Sequence, residues 1–278
     1  MNITTAADGL DLVPTGFVQK VAMRRSEARL AEKLGVQMIP GHGTTVNFPY
    51  ENADAQDFTT TAEQADAHGN NYTRDALQAG LKAFTLVKKT KKLELTEEIT
   101  EDEDVNLMAW IADNIGRGMG GTHNAALVAE VIASGTNLKT FASATAIAAG
   151  EPDAIVFNDT LGNYLDDGGS ISWVMRPTTF GAIKALAGDP RIYGVAQSAG
   201  RTLLEYPVNY SNKVAAIASA VKSVLFGNWY YMGLYESPSL HMILDPYSVD
   251  GMVVLKYSFR MCYGQLIAGA LGYGLQAT

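Results

Sequence analysis

Residues 100–119, TEDEDVNLMAWIADNIGRGM, decide the fold of this chain. Thr100 and Glu103 have the spacing of a capping box, in which the two residues satisfy free N–H groups at a helix start. The neighbouring acidic side chains suit the positive end of the helix dipole. Apolar residues then recur at helical spacing, so one stripe would face a core: Met108, Ile111, Ala112, Ile115 and Met119. The stretch predicts a long central helix, broken or kinked at Gly120 and Gly121.

The amino-acid composition limits the classes of protein to which this chain can belong. With 278 residues, 47% of them hydrophobic and 18% charged, the chain can bury a substantial core in one large domain or two smaller ones. A surface poor in charge indicates either an apolar-rich monomer or surface covered by other subunits. The net charge of −8 argues against a protein that wraps nucleic acid tightly, because phosphate affinity needs clustered Lys and Arg.

The sequence predicts no catalytic, cofactor or metal site. Cys262 is the single cysteine, which excludes a disulfide within the chain and a cysteine metal cluster. Gly116, Gly118 and Gly121 match G-x-G-x-x-G, but they follow a helical stretch where a dinucleotide site needs a strand. The histidines have no metal-binding spacing and are interpreted as surface or capping residues: His42, His68, His123 and His241. The tryptophans are interpreted as packing residues: Trp110, Trp173 and Trp229.

The first 80 residues are interpreted as an arm and a loop. Residues 1–37 predict an extended arm with a short helix from Ser26 to Leu34. Its basic residues form either a solvated helix face or a contact with an acidic neighbouring subunit: Arg24, Arg25, Arg29 and Lys33. Residues 38–80 are rich in Gly and Pro, and Val46 to Tyr50 alternate as in a strand. A two-stranded loop that reaches a neighbour and a flexible surface hairpin both satisfy that pattern.

The rest of the chain predicts mixed helices and strands. Strands are expected at Leu81–Val87, Ile171–Met175, Leu203–Val208, Leu240–Leu244 and Met252–Cys262. Lys88 to Lys92 would form a solvated strand–helix junction. Helices are expected at Asp153–Leu165 and from Pro177 to Leu186, and Asn137–Ala149 is a linker or a helix. The uncharged end, Met261–Thr278, predicts a buried strand and a glycine-rich tail, since its glycines disfavour a membrane span. This order indicates the α+β class.

Several stretches in this order resemble a known family. They are Leu12–Pro14 with Phe17, Met38–Pro40, Val46–Tyr50, Glu63–Tyr72, Leu81–Ile99, Ser170–Thr179, Gly200–Val208, Phe226–Trp229 and Met252–Cys262 with Arg260. Together they resemble a tailed-bacteriophage major capsid protein with the HK97-type fold. The resemblance covers nearly the whole chain, although no single motif in it is specific.

The resemblance implies both an architecture and a function. Residues 1–37 would be the N-terminal arm, 38–80 the extended loop, 81–135 and 236–278 a peripheral domain with the spine helix, and 136–235 an axial domain. Subunits of this family form hexamers and pentamers that close into an icosahedral shell around double-stranded DNA. The resemblance thus implies a non-enzymatic virion protein without a cofactor, assembled in the host cytoplasm. Its expected partners are other copies, a scaffold, a portal, decoration proteins and weakly contacted DNA, but no membrane.

Particular residues are predicted to make the contacts between subunits. They are Phe58, Glu63 and Tyr72 in the loop, with Arg24, Arg25 and Arg29 in the arm. Some shells of this family are cross-linked through a loop lysine, but no lysine occurs here between Lys33 and Lys82. We therefore predict a non-covalent shell. Many members of this family carry an N-terminal scaffolding segment, and the residues before Asp11 are too few to form one. We therefore expect that such a segment was removed or left out, or that a separate scaffold acts.

Three alternatives remain open at this point. An encapsulin-type compartment shares the fold but packages a cargo enzyme, so the particle contents distinguish it. A soluble α+β enzyme with a spatially assembled site would form a small oligomer. A monomeric binding module that grips through Val46–Tyr72 would lose its ligand, but keep its oligomeric state, when that loop is deleted.

Overall fold

The computed structural model of the chain describes residues 15–51, 79–96, 107–162, 164–166, 168–186, 201–237 and 240–278. Its helices are Thr15–Ala28 (α1), Leu30–Leu34 (α2), Leu107–Ser134 (α3), Glu151–Val156 (α4), Asp159–Gly162 (α5) and Pro177–Lys184 (α6). Its strands are Gln37–Met38 (β1), Thr45–Glu51 (β2), Ala79–Thr85 (β3), Val87–Thr96 (β4), Thr136–Thr140 (β5), Ile171–Met175 (β6), Thr202–Leu203 (β7), Tyr206–Tyr210 (β8), Lys222–Asn228 (β9), Met232–Glu236 (β10), His241–Val249 (β11), Met252–Gln265 (β12) and Leu271–Leu275 (β13).

The central helix α3 is continuous over 28 residues. It passes through Gly120 and Gly121, so the predicted break is wrong. An interior glycine costs a helix about 1 kcal/mol relative to alanine, and burial of the apolar stripe offsets this loss. The stripe is buried as predicted, from Ile111 and Ile115 on to Val131. The predicted capping box lies outside the described residues.

The N-terminal helix α1 packs along α3. Val21 on α1 is fully buried, and Gly116 on α3 lets the two backbones approach closely. A Cβ at Gly116 would lie 2.7 Å from the Cβ of Arg24 and 2.9 Å from the carbonyl oxygen of Val21. The sequence predicted an extended arm with a helix only from Ser26. The structure has helix already from Thr15, because packing against α3 stabilises a segment whose own periodicity is weak.

A five-stranded sheet is built around β12. β4 pairs along one side of β12, β10 and β11 pair along the other, and β1 extends the sheet beyond β10. Alternate side chains of β12 are buried against α3: Leu255, Tyr257, Phe259, Met261 and Tyr263. The alternation predicted for this strand is confirmed. Lys88–Lys92, predicted to be a junction, lie instead inside β4, where they pair with β12.

A six-stranded sheet in the order β5-β13-β9-β6-β8-β7 carries the second core. Trp173 and Phe226 pack at its centre with ring centroids 4.2 Å apart, and the indole N–H of Trp173 donates to the carbonyl of Leu203 at 3.0 Å. The strand predicted at Ile171–Met175 is confirmed. Two predictions are wrong here. Thr136–Thr140 is a strand, not a linker or a helix, and the helix predicted at Asp153–Leu165 is replaced by the short helices α4 and α5.

The last strand changes the predicted grouping of segments. Residues 236–278 were expected to lie together, but β13 pairs with β5 and β9 in the six-stranded sheet. Conversely, β10 joins the five-stranded sheet although most of it was assigned to the segment 136–235. Glycines explain why the tail is a strand. A Cβ at Gly272 would lie 2.4 Å from the carbonyl oxygen of Thr136, so only glycine allows β13 to pair so closely.

Matched glycine substitutions on α3 test the approach of α1. Gly116→Ala forces a methyl group against the α1 backbone, so we expect it to lower the free energy of unfolding by about 1–3 kcal/mol, as overpacking does. At Gly118 a Cβ would meet nothing within 4 Å. Gly118→Ala should therefore stabilise the chain by about 1 kcal/mol through helix propensity.

Chemical denaturation of the unassembled chain measures the free energy of unfolding of both variants. Equal effects of the two substitutions would contradict the close packing of α1 on α3.

Candidate functional site

The strands β2 and β3 form the root of the loop. They pair antiparallel from Thr45 opposite Thr85 to Glu51 opposite Ala79, and residues 52–78 connect their ends. β2 confirms the strand predicted from the alternation of Val46, Phe48 and Tyr50. Leu81 on β3 is 70% exposed.

Phe84 anchors this root to the five-stranded sheet. Its side chain is fully buried and packs on two glycines, since a Cβ would lie 2.7 Å from the Phe84 ring at Gly233 and 2.8 Å from it at Gly264. The hydroxyl of Tyr235 also donates to the carbonyl of Gly43 at 2.8 Å, just before β2. Gly233 and Gly264 thus form a socket for the Phe84 ring, and this socket determines where the loop leaves the sheet.

A buried ionic cluster anchors the N-terminal helices. Glu236, at the end of β10, accepts hydrogen bonds from Arg25 and from Arg29, the latter at 2.7 Å. Arg29 also donates to Glu32 at 2.6 Å. The side chains of Arg29 and Glu236 are only 7% and 6% exposed. Because little water reaches them, each charge is stabilised mainly by its ion-pair partner. The backbone N–H of Leu30 donates to Asn124 of α3 at 2.7 Å and fixes the start of α2.

His123 lies beneath this cluster and is fully buried. Its Nδ1 lies 3.1 Å from the hydroxyl of Tyr263, and its ring stacks on Phe259 with centroids 5.4 Å apart. Burial, and then the positive charges of Arg29 and Arg25, lower the pKa of His123 to about 3. The imidazole is therefore neutral at neutral pH. Its approach of 3.6 Å to Glu236 is not an ion pair there.

The predicted contact residues fall in two groups. Phe58, Glu63 and Tyr72 lie outside the described residues. The three arginines are described: Arg25 and Arg29 bind Glu236, and the Nε of Arg24 lies 2.7 Å from Asp113 of α3. The single chain thus already uses these charges, and their role between subunits stays a prediction.

Several residues of these anchors left no signal in the sequence. Glu236 lies 211 residues from Arg25, so no local spacing indicates the pair. His123 was interpreted as a surface or capping residue and is instead in the core, where Tyr263 satisfies one of its nitrogens. Trp110, interpreted as a packing residue, is 58% exposed on α3.

In the described part of the chain, no three His, Cys, Asp or Glu side chains are grouped so as to hold a metal ion. Cys262 is a free, half-buried thiol, and burial raises its pKa. Of the helices in the described ranges, none combines the length and the apolar character needed to cross a bilayer.

A sequence model of the phage capsid family matches residues 14–264, which is most of the chain. The chain belongs to the phage capsid family. This assigns it a structural role as the major protein of a capsid shell. No curated protein sequence matches it.

Solved structures share the fold of this capsid protein. The capsid chain of a native GTA particle is 17% identical with a TM-score of 0.66, and the match covers 100% of this chain and 96% of that one. A chain of Mycobacterium phage Bobi is 11% identical with a TM-score of 0.64, covering 90% and 91%. The capsid of cyanophage P-SCSP1u is 14% identical with a TM-score of 0.62, covering 90% and 88%. The fold is HK97-like, mixed α and β, as the resemblance implied.

Glu236→Gln tests the buried ionic cluster of the capsid protein. It removes the carboxylate from two arginines, one of them buried, and we expect a loss of about 3 kcal/mol in the free energy of unfolding. Glu32→Gln is the matched control, because the side chain of Glu32 is 42% exposed. It should cost less than about 1 kcal/mol. Denaturant titration of both variants measures the difference, and similar losses would contradict a cluster centred on Glu236.

His123→Gln tests the neutral buried imidazole. Below about pH 6.5 a histidine of the unfolded chain binds a proton, whereas His123 in the folded chain stays neutral down to about pH 3. The unfolded state then holds more protons, so the free energy of unfolding falls as the pH is lowered through this window, by up to about 1.4 kcal/mol per unit. Without His123 the fall should be shallower. Denaturation at pH 7.0 and pH 4.5 compares the two proteins, and equal falls would refute a neutral buried His123.

Proposed function

We propose that this capsid protein assembles as hexamers and pentamers into an icosahedral shell that encloses double-stranded DNA. The observation that carries the proposal is the match to the phage capsid family over residues 14–264. The anchored loop root supports it, because a β-hairpin held on a glycine socket is suited to reach a neighbouring subunit from a defined point. Exposed apolar side chains such as Leu81 and Trp110 are further surface that neighbours would cover.

The two sheets suggest the domains of the shell subunit. We assign α3 and the five-stranded sheet to the peripheral domain, and the six-stranded sheet, including β13, to the axial domain. The arm would run to residue 37 and the loop from 38 to 80. Inter-subunit contacts would involve Arg24 in the arm, with Phe58, Glu63 and Tyr72 in the loop. Arg25 and Arg29 would act mainly by holding the arm to Glu236.

We further propose that the shell is non-covalent. The loop has no lysine between Lys33 and Lys82, so it lacks the amine that an isopeptide bond would need. A net charge of −8 per subunit suits a container that contacts its DNA only weakly. Assembly would take place in the host cytoplasm, with a scaffold, a portal and decoration proteins as further partners.

Particles from the natural source test these proposals together. Negative-stain electron microscopy should show closed icosahedral shells, and nuclease-protected double-stranded DNA should be recovered from them. The same particles, boiled in detergent and reductant, should run on a gel as single chains of 29.8 kDa.

Each part of the result has a distinct consequence. Covalent oligomers on the gel would overturn only the non-covalent shell. Shells filled with protein would indicate an encapsulin-type compartment. Small uniform oligomers from the natural source would refute the shell altogether.

A further inference from the structure

In the part of the chain that the structure describes, the strand β4 is an open edge of the five-stranded sheet. Among the described strands it pairs only with β12, in unbroken register from Val87 opposite Met261 to Thr96 opposite Met252. Every second N–H and C=O of an edge strand points away from its sheet and can pair with another chain. Ten residues of exposed edge are long enough to accept a whole strand.

This edge carries a concentration of positive charge. Lys88, Lys89, Lys91 and Lys92 are all exposed. Lys92 pairs with Glu94, whereas the other three have no carboxylate partner within the described residues. Lys88 also lies directly opposite exposed Arg260 on β12. Like charges opposite each other destabilise a sheet, so an acidic group placed here would relieve their repulsion.

An apolar cleft of about 280 Å³ adjoins the same strand, between β4 and α3. Its walls include Ile115, Met119, Tyr257 and Phe259, and Lys89 and Lys91 lie at its rim. Tyr257 is only 4% exposed, so its ring forms part of the closed end of the cleft. An apolar side chain in the cleft, followed by a carboxylate, would cover the apolar walls and pair with the lysines at once.

These features fit a polypeptide better than a nucleic acid. DNA phosphates would neutralise the lysines, but they would fill neither the apolar cleft nor the backbone hydrogen bonds of the edge. The rest of this chain has the complementary charge. Without the four lysines it retains 17 basic and 29 acidic residues, a net charge of −12.

We propose that the β4 edge is the docking site for an acidic segment of a second copy of this chain. The segment pairs with β4 as an added strand, places carboxylates against the lysines and inserts an apolar side chain into the cleft. Lysines on an edge also block indiscriminate strand pairing, so here they select an acidic strand over a neutral one. The inference rests on the proposed function, because it requires copies to assemble.

Charge reversal on the edge tests the docking site. Lys88→Glu combined with Lys91→Glu is introduced into the gene in the cells that produce the natural particles. Like charges brought together across an interface should lower the yield of closed shells at least about tenfold. The control, Lys184→Glu with Lys213→Glu, makes the same charge change at two exposed lysines outside the arm and the loop and should keep the wild-type yield.

Two further measurements separate docking from folding. The unassembled Lys88→Glu/Lys91→Glu protein should unfold at or above the wild-type temperature, since Lys88→Glu creates an ion pair with Arg260 across the strands. In wild-type shells, those amides of residues 87–92 that point away from β12 should exchange hydrogen at least about tenfold more slowly than in dissociated subunits, because strand pairing protects them.

Each other outcome would overturn the inference. A wild-type yield of shells from the charge-reversed protein, or unchanged amide exchange on assembly, would show that no second copy docks at β4. Normal shells with less DNA would identify nucleic acid as the partner, and normal shells that lack only an attached protein would identify that protein. If the wild-type chain itself formed no shells, the proposed function would fail first and the inference with it.

Discussion

The packing of α3 across β12 is the contact on which the rest of the structure depends. One face of β12 presents a row of alternating apolar side chains, and the buried stripe of α3 covers it. Burial of this area is the main favourable term in folding. β12 in turn pairs with β4, β10 and β11, and α3 carries α1 through Gly116. Loss of this one contact would leave both the sheet and the N-terminal helices without a core.

The same frame holds the loop root and the N-terminal helices. β10 contributes Gly233 to the socket for Phe84 and Glu236 to the ionic cluster, so the loop root and the N-terminal helices are anchored within one short strand. The anchors differ in chemistry. The loop is held by close apolar packing on glycines, which does not depend on pH. The helices are held by buried charges above a neutral histidine, and this anchor weakens in acid.

Prediction from sequence succeeded where the spacing of apolar residues in a segment agreed with the side that the structure buries. Val46 to Tyr50 and Tyr257 to Met261 alternate and are strands, with one side partly buried in the first and buried in the second. The stripe from Ile111 to Met119 lies on a helix. Prediction failed where a partner distant in sequence decided the outcome. Thr136–Thr140 is a strand because β13 pairs with it, and the glycines of β13 belong to a strand because they permit that pairing. Glycines 120 and 121 stay helical because α3 is buried on both sides of them.

By itself, the sequence determined the class of fold, the long central helix, most of the strands and the membership of the capsid family that the order of motifs indicated. Those features depend on the periodicity of apolar residues and on the order of segments, both of which can be read from the sequence. Only the tertiary structure decided that β13 belongs to the second sheet, that Glu236 binds Arg25 and Arg29, and that β4 is an open, basic edge beside an apolar cleft. Each of these depends on residues that meet across tens to hundreds of positions, where burial and charge pairing in space act and no local pattern records them.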